Sequence, residues 1–305
     1  MALYAYLDIQ DPLVAWEVAI GRLCSADDLE RDGVFSLSLR QFSFFRRYSQ
    51  AFVVTPQIRN ETRLEWIRSE RYRDVPSRLR GVFLFDNRAD AEAAAVRWDG
   101  SHFDPLFLSE VEMIPDRQAR LDSEWITSNL LSDRENSWMD SYWRGEVCGE
   151  RPLTEVICSG VGTILNVDLR DRAYQEIMRL FPRSVPLLRI ARIAFNLGFK
   201  RAAQVVPYLI REGARIKGSH MLNMNIFNDG SPFFDALAQY SGPWPPLAVP
   251  WDGVILTPDL SDRWFYLTNL ELSRLVRECI SPNLADKTGL DQLRQVHDME
   301  AGSGH

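Results

Sequence analysis

Short apolar runs, and apolar positions spaced three or four apart, divide the chain into segments that predict strands and helices. In the first half, apolar runs predict strands at residues 2–8, 52–54, 82–85 and 107–113, the last as an edge strand with a bulge. A further apolar pattern, interrupted by Gly160 and Gly162, predicts a hairpin at residues 153–167. Helical spacing predicts helices at residues 12–23, 62–70, 89–97 and 136–145.

After residue 167 the spacing of apolar positions becomes mainly helical. Helices are predicted at residues 172–181, 186–197, 200–212 and 269–279, and short strands at residues 254–256 and 264–267. The fold class predicted is therefore α+β. The change of pattern predicts an α+β domain at residues 1–167, a mainly helical, basic domain with a small terminal β element at residues 168–282, and a polar tail at residues 283–305.

The turn before the apolar run at residues 82–85 is the first candidate for chemistry. Pro76 ends the preceding helix, and Ser77 and Arg78 follow it at the start of a hydrophobic segment. An arginine in this position can present a planar fork to phosphate or carboxylate. The arginines of the preceding helix have a simpler interpretation, because they can pair with glutamates at helical spacing. Arg78 differs from them, because an unpaired charge entering a hydrophobic strand would be costly.

Composition and sorting signals narrow the class of protein. The chain has 305 residues, of which 46% are hydrophobic and 25% charged, as is typical of a globular protein. No apolar run approaches the ~18 residues of a membrane-spanning helix, and the first residues lack the pattern of a signal peptide. We therefore expect a cytoplasmic protein without a membrane partner. The four cysteines and four histidines are scattered, which predicts neither disulfides nor a metal site.

Positive charge is concentrated in residues 175–220. This segment holds nine basic residues and two glutamates, a local charge of +7 in a chain whose net charge is −7. It predicts a binding surface for nucleic acid or for an acidic protein surface. Helical spacing places three pairs of arginines on one side of their helices, Arg179 with Arg183, Arg189 with Arg192, and Arg211 with Arg215, and we predict that the last two pairs bind the partner. The alternative is an inter-domain face on which these arginines meet the acidic first half of the same chain.

Several motifs of the first half resemble, in content and order, those of an uncharacterised group of bacterial ADP-ribosyltransferase-like proteins. The motifs are Glu65-x-x-Arg68, Pro76-Ser77-Arg78 followed by Val82-Phe83, Tyr142-Trp143-Arg144-Gly145, and Glu155-Val156. The resemblance covers residues 1–167. It implies a small split β-sheet that holds NAD in a cleft.

The resemblance also implies roles for individual residues. Glu155 corresponds to the late glutamate that polarises the nicotinamide ribose, Arg78 and Ser77 to cofactor-binding residues, and Tyr142 and Trp143 to a stacking surface for nicotinamide or adenine. From the residues alone, Glu155 could equally be a strand-edge carboxylate, and the two aromatic residues could simply pack in the core.

The chain departs from this family pattern on its first strands. The arginine or histidine usual on the first strand is replaced by Tyr4 and Tyr6, and the Ser-Thr-Ser strand has only Ser36-Leu37-Ser38 as a counterpart. We therefore hold two hypotheses. The first is an NAD-dependent ADP-ribosyltransferase-like protein that acts on a nucleic acid or protein target. The second is a non-catalytic nucleic-acid- or protein-binding regulatory module.

Overall fold

Helices and two antiparallel sheets make up the computed structural model, which is therefore α+β. The structure describes residues 2–26, 34–50, 54–98, 103–132, 137–213, 215–228, 231–251 and 253–279. Its strands are β1 (Ala2–Tyr6), β2 (Arg22–Cys24), β3 (Phe35–Ser36), β4 (Val82–Leu84), β5 (Leu108–Asp122), β6 (Thr154–Ile164), β7 (Val205–Glu212), β8 (Arg215–Leu222) and β9 (Phe265–Leu267).

The helices occur in both halves of the chain. They are α1 (Pro12–Ile20), α2 (Leu39–Tyr48), α3 (Pro56–Arg71), α4 (Arg88–Trp98), α5 (Glu124–Asn129), α6 (Ser137–Trp143), α7 (Val167–Leu180), α8 (Val185–Asn196), α9 (Pro232–Ala238) and α10 (Leu270–Cys279). No helix in the described ranges combines the length and the apolar character needed to cross a membrane. The strand predicted at 52–54 lies, except for Val54, outside the described residues, as does the polar tail at 283–305.

The first sheet is built around β6. Strand β6 pairs with β5 along one edge, and with β4 and then β2 along the other. Strand β1 pairs with β5, and an isolated bridge joins Tyr4 to Phe85, the residue after β4. Because β4 and β5 both lie next to β6 and both approach β1, the sheet curls back on itself.

Two predictions for this sheet were wrong, and glycine explains the first. Residues 153–167 form no hairpin, because Gly160 and Gly162 serve close approach inside β6 rather than a turn. A Cβ on Gly160, which has φ +128°, would lie 2.4 Å from the carbonyl oxygen of Ile114, beside the register shift between Pro115 and Arg117. The run at 107–113 is no edge strand either, since β5 lies between β1 and β6.

The second sheet has the order β3-β7-β8-β9. The helix predicted at residues 200–212 was wrong, because residues 205–212 form β7, which pairs with β8 as a hairpin. β-branched residues such as Val205 and Val206 favour a strand, and Pro207 disfavours a helix interior. The strand predicted at 254–256 is not formed either. The second half therefore contains a substantial sheet as well as helices.

Core packing connects residues on both sides of position 167. The largest buried cluster contains Trp16 of α1 together with Leu169 of α7 and Leu209 of β7. A buried ion pair adds polar contacts: the Arg22 side chain donates to Glu17 at 2.5 Å and to the Ala202 carbonyl at 2.6 Å. Its Nη1 also reaches the Lys200 carbonyl at 3.2 Å, and Glu17 accepts from the backbone N–H of Val205 at 2.7 Å. The domain boundary near residue 167 stays a prediction.

Candidate functional site

A buried arginine stands at the centre of the first half. Arg78 lies between α3 and β4, and its side chain is only 4% exposed. Its Nη1 donates to the Tyr142 hydroxyl at 2.6 Å and to Glu155 Oε1 at 2.7 Å. Its Nη2 and Nε donate to the two oxygens of Glu61 at 2.9 and 3.2 Å. The structure therefore brings together three predicted site residues, Arg78, Tyr142 and Glu155, and adds Glu61. We call these four residues the Arg78 network.

The local sequence explains why Arg78 points inward. The Ser77 hydroxyl accepts hydrogen bonds from the backbone N–H groups of Leu79 and Arg80, at 3.0 and 3.3 Å, and so holds the turn. The same hydroxyl donates to Glu65 at 2.8 Å, and Glu65 in turn pairs with Arg68 at 2.9 Å. Ser77 therefore lies beside the Arg78 network, with its hydroxyl engaged by the turn and by α3.

The two aromatic candidates on α6 lie in different surroundings. The Tyr142 hydroxyl donates to Glu155 Oε1 at 2.8 Å, inside the network. The Trp143 indole N–H donates to the carbonyl of Leu64 at 3.0 Å, so its polar end faces α3. The rings pack edge to face with centroids 4.9 Å apart, and both residues are buried. Their roles as stacking surfaces for a ligand stay predictions.

The charges of the network are closely paired, with one arginine serving two glutamates. Burial disfavours a charged arginine, but the carboxylates of Glu155 and Glu61 outweigh it and raise the pKa of Arg78 well above its ordinary value. Burial also raises the pKa of Tyr142 well above its ordinary value, against the opposing effect of Arg78. At neutral pH the tyrosine is therefore a neutral donor between a cation and a carboxylate.

One oxygen of Glu155 is held and the other is not. Oε1 accepts from both Arg78 and Tyr142. Oε2 makes no hydrogen bond within the described part of the chain, and it is not among the buried polar atoms that lack a partner, so it keeps some contact with solvent. Oε2 is therefore the less constrained oxygen of a side chain that is only 5% exposed.

A second arginine, Arg40, lies next to the network and pairs with no carboxylate of the described residues. Arg40 stands in the first turn of α2, and the residue is exposed. Its guanidinium lies 4.6 Å from the ring centroid of Phe83. The Arg78 guanidinium lies 5.0 Å from the same ring. Desolvation of its guanidinium lowers the pKa of Arg40. The charge of Glu155 opposes this decrease, and the charge of Arg78 adds to it. Among the described residues, Arg40 makes neither a hydrogen bond nor an ion pair.

Sequence reasoning missed Arg40, Glu61 and Phe83 as members of the site. Glu61 precedes Glu65 by four residues on α3, so it could have been placed on the same helix face. Arg40 is far from the motifs along the chain. It comes near because the backbone N–H of Ser38, just before α2, donates to the carbonyl of Leu79 at 2.8 Å.

The four basic residues predicted to bind a partner do not share one kind of surface. Arg189 and Arg192 lie on α8, as predicted. The helical spacing inferred for Arg211 and Arg215 was wrong, because these residues lie in β7 and β8 near the end of the hairpin. Arg215 is opposite Glu212, and its guanidinium lies 4.7 Å from the ring of Tyr266.

The depression found on the surface lies apart from the Arg78 network. A surface depression of about 630 Å³ runs along α7, lined by Asp168, Asp171, Arg172, Gln175, Glu176 and Arg179. None of these residues belongs to the Arg78 network, and their charges are mixed. Within the described ranges, no group of three or more His, Cys, Asp or Glu residues could hold a metal ion.

Comparison with known proteins gives no relative. No protein-family model matches the chain, and neither curated proteins nor solved structures include a significant match to it.

Proposed function

We propose that the protein is an NAD-dependent ADP-ribosyltransferase-like protein, with residues 1–167 forming the split sheet of that class and Glu155 as its catalytic carboxylate. The single observation that carries the proposal is the asymmetry of Glu155. Arg78 and Tyr142 fix Oε1, while Oε2 is left without a hydrogen bond in the described chain. A carboxylate held by one oxygen is oriented, and its other oxygen is available to a developing positive charge.

The chemistry follows from that orientation. When the glycosidic bond between the nicotinamide nitrogen and the ribose carbon breaks, its electron pair leaves with nicotinamide and the ribose becomes positively charged. Glu155 Oε2 would stabilise that charge. A nucleophilic oxygen or nitrogen of a nucleic acid or protein target would then form the new bond to the ribose carbon and lose its proton.

The proposal gives Arg78 and Arg40 different tasks. Four of the five N–H donors of Arg78 are used inside the network, so its main task is to position Glu155. Arg40 retains an unpaired guanidinium near the same carboxylate, which suits a pyrophosphate better. Ser77 would act by holding the turn that carries Arg78.

The burial of the network favours a second hypothesis. Glu155 and Arg78 are each 4% exposed, and a closed set of charges can be a purely structural element. In that case the protein is a non-catalytic module that binds nucleic acid or an acidic protein surface.

Arg40 offers a test that leaves the buried charges intact. We expect the wild-type protein to release nicotinamide from NAD, and Arg40→Gln to weaken NAD binding by about tenfold, because glutamine cannot pair with a phosphate as a guanidinium does. Arg47→Gln is the matched control, since Arg47 is an exposed arginine on the same helix. If the wild type neither consumes nor binds NAD, the non-catalytic hypothesis is favoured. If it consumes NAD and both variants behave alike, Arg40 is rejected as the phosphate-binding residue.

A further inference from the structure

Two arginines of α8 face two aromatic rings, one on α7 and one in the loop at residues 239–251. The guanidinium of Arg189 lies 4.7 Å from the ring centroid of Trp244, and that of Arg192 lies 5.6 Å from the ring of Tyr174. Arg170, one turn before Tyr174 on α7, has its guanidinium against Gly21; burial lowers its pKa, and repulsion from Arg192 adds to the effect. We call Arg189, Arg192, Tyr174 and Trp244 the arginine–aromatic cluster.

Positive charge in this cluster is incompletely balanced. Arg192 pairs with Asp171 at 3.2 Å, and the side chain of Asp171 is 60% exposed. The Nε atoms of Arg170 and Arg189 are buried and have no hydrogen-bond partner within the described residues. Arg192 therefore has a carboxylate partner in Asp171, whereas Arg189 lies against the face of Trp244, where the ring quadrupole attracts its charge.

Hydrogen bonds and a ring contact hold the loop that carries Trp244 in place. The Tyr174 hydroxyl donates to the carbonyl of Pro246 at 2.7 Å, which ties the loop to α7. Tyr240 packs edge to face against Trp244 with ring centroids 6.0 Å apart, and its hydroxyl donates to the Pro243 carbonyl at 3.0 Å. Trp244 nevertheless remains 44% exposed. A supported indole that is open to solvent is a stacking surface.

We infer that the arginine–aromatic cluster is a binding site for single-stranded nucleic acid. A base would stack on the exposed part of Trp244, and the neighbouring phosphates would lie against Arg189 and Arg192. Single-strand sites combine these two features, because every base has a stacking face and every nucleotide a phosphate. An acidic protein surface would use the arginines but would gain little from the exposed indole. The inference does not depend on the proposed NAD chemistry.

Fluorescence anisotropy of a labelled single-stranded DNA of roughly 12 nucleotides tests the inference. We expect salt-dependent binding by the wild-type protein, and about tenfold weaker binding by Arg189→Gln/Arg192→Gln. The slope of log affinity against log salt should become shallower by roughly 0.7 for each phosphate that the variant leaves unneutralised. Trp244→Ala should weaken binding about fivefold or more, because the base has no indole on which to stack.

Arg179→Gln/Arg183→Gln is the matched control, because it removes the same charge from the same basic segment at exposed positions. It should bind the DNA within about twofold of the wild type. Equally weakened binding in both double variants, or wild-type binding by Trp244→Ala, would overturn the inference. So would equal displacement of the DNA by a polyglutamate peptide, which would assign the cluster to an acidic protein partner. Arg192→Lys, which keeps the charge, and a melting curve for each variant separate an effect on binding from an effect on folding.

Discussion

The Arg78 network and the arginine–aromatic cluster contain the same types of side chain, but their arginines have different partners. Both place arginines against aromatic rings, Arg78 beside Tyr142 and Arg189 beside Trp244. In the network two glutamates share one arginine, whereas in the cluster Arg192 pairs with Asp171 and Arg189 lies against the ring of Trp244. Carboxylate partners lock a guanidinium in place, while aromatic partners support it and leave its charge available. If the proposed nucleic-acid site is correct, the neighbours of an arginine, more than its burial, decide whether it can serve a ligand.

The largest effect should come from breaking the network at its centre. Arg78→Met leaves Glu61 and Glu155 buried without their shared cation, so we expect a decrease of about 3–5 kcal/mol in the free energy of unfolding. Urea or guanidinium denaturation measures it.

Arg120→Met is the control for that substitution. Arg120 contacts Asp86 at 2.8 Å, but on the surface, where an ion pair is worth about 0–1 kcal/mol. A similarly small decrease in both variants would show that Arg78 does not stabilise the buried carboxylates of Glu61 and Glu155.

A smaller effect should come from the hydroxyl that joins the two charges. Tyr142→Phe removes the donor to Glu155 and the acceptor for Arg78, and hydrogen bonds to charged groups are worth about 1.5–3 kcal/mol. Denaturation measures the change in the free energy of unfolding. Tyr72→Phe is the matched control, because its hydroxyl bonds Asp140 near the surface. If the two variants are destabilised equally, the hydroxyl of Tyr142 has no special place in the network.

The smallest effect concerns the tyrosine of the cluster at high pH. Burial raises the pKa of Tyr174 to about 12, against the opposing effects of Arg189 and Arg192. In the unfolded chain the pKa is about 10, so above that value the unfolded state loses its proton first and is favoured. The contribution to stability is complete below about pH 10 and is lost as the pH rises towards about 12.

Tyr174→Phe removes this contribution. Its free energy of unfolding, measured by urea denaturation, should therefore fall less than that of the wild type between about pH 9 and about pH 11. Parallel curves for the two proteins would show that Tyr174 does not couple folding to this ionisation.

Three members of the network, Arg78, Tyr142 and Glu155, could be named as site residues from the sequence, but their burial and their pairing could not be predicted from it. Pro76, Ser77 and Arg78 mark a turn into a hydrophobic strand, and the cost of an unpaired charge there set Arg78 apart as a fork for phosphate or carboxylate. The structure instead pairs Arg78 with Glu61 and with Glu155, which lies 77 residues later in the chain, a separation that no local pattern bridges. The 4% exposure of Glu155 likewise depends on this long-range packing.

Secondary structure was predicted correctly where one spacing of apolar residues dominates. It was predicted wrongly where a segment fits both a helix and a strand. The helices α7 and α8 and the strand β9 lie close to their predicted places, because their apolar residues follow a single period. Residues 205–212 mix β-branched residues with polar ends, and pairing with β3 and β8 decides for a strand. The glycines of β6 look like a turn in sequence, and only the neighbouring β5 reveals that they make room for a register shift.

The buried pair of Glu17 and Arg22 sets an order of events during synthesis. Its partners among residues 200–205 are 178 to 188 positions later in the chain. At ribosomal rates of about 5–20 residues per second, that interval lasts roughly 10–40 s. Until it ends, the two charges lack their backbone partners and stay solvated, so α1 cannot settle into its final packing. The start of the core therefore stays incomplete for that time, and the hydrogen bonds of this pair form once residues 200–205 have been made.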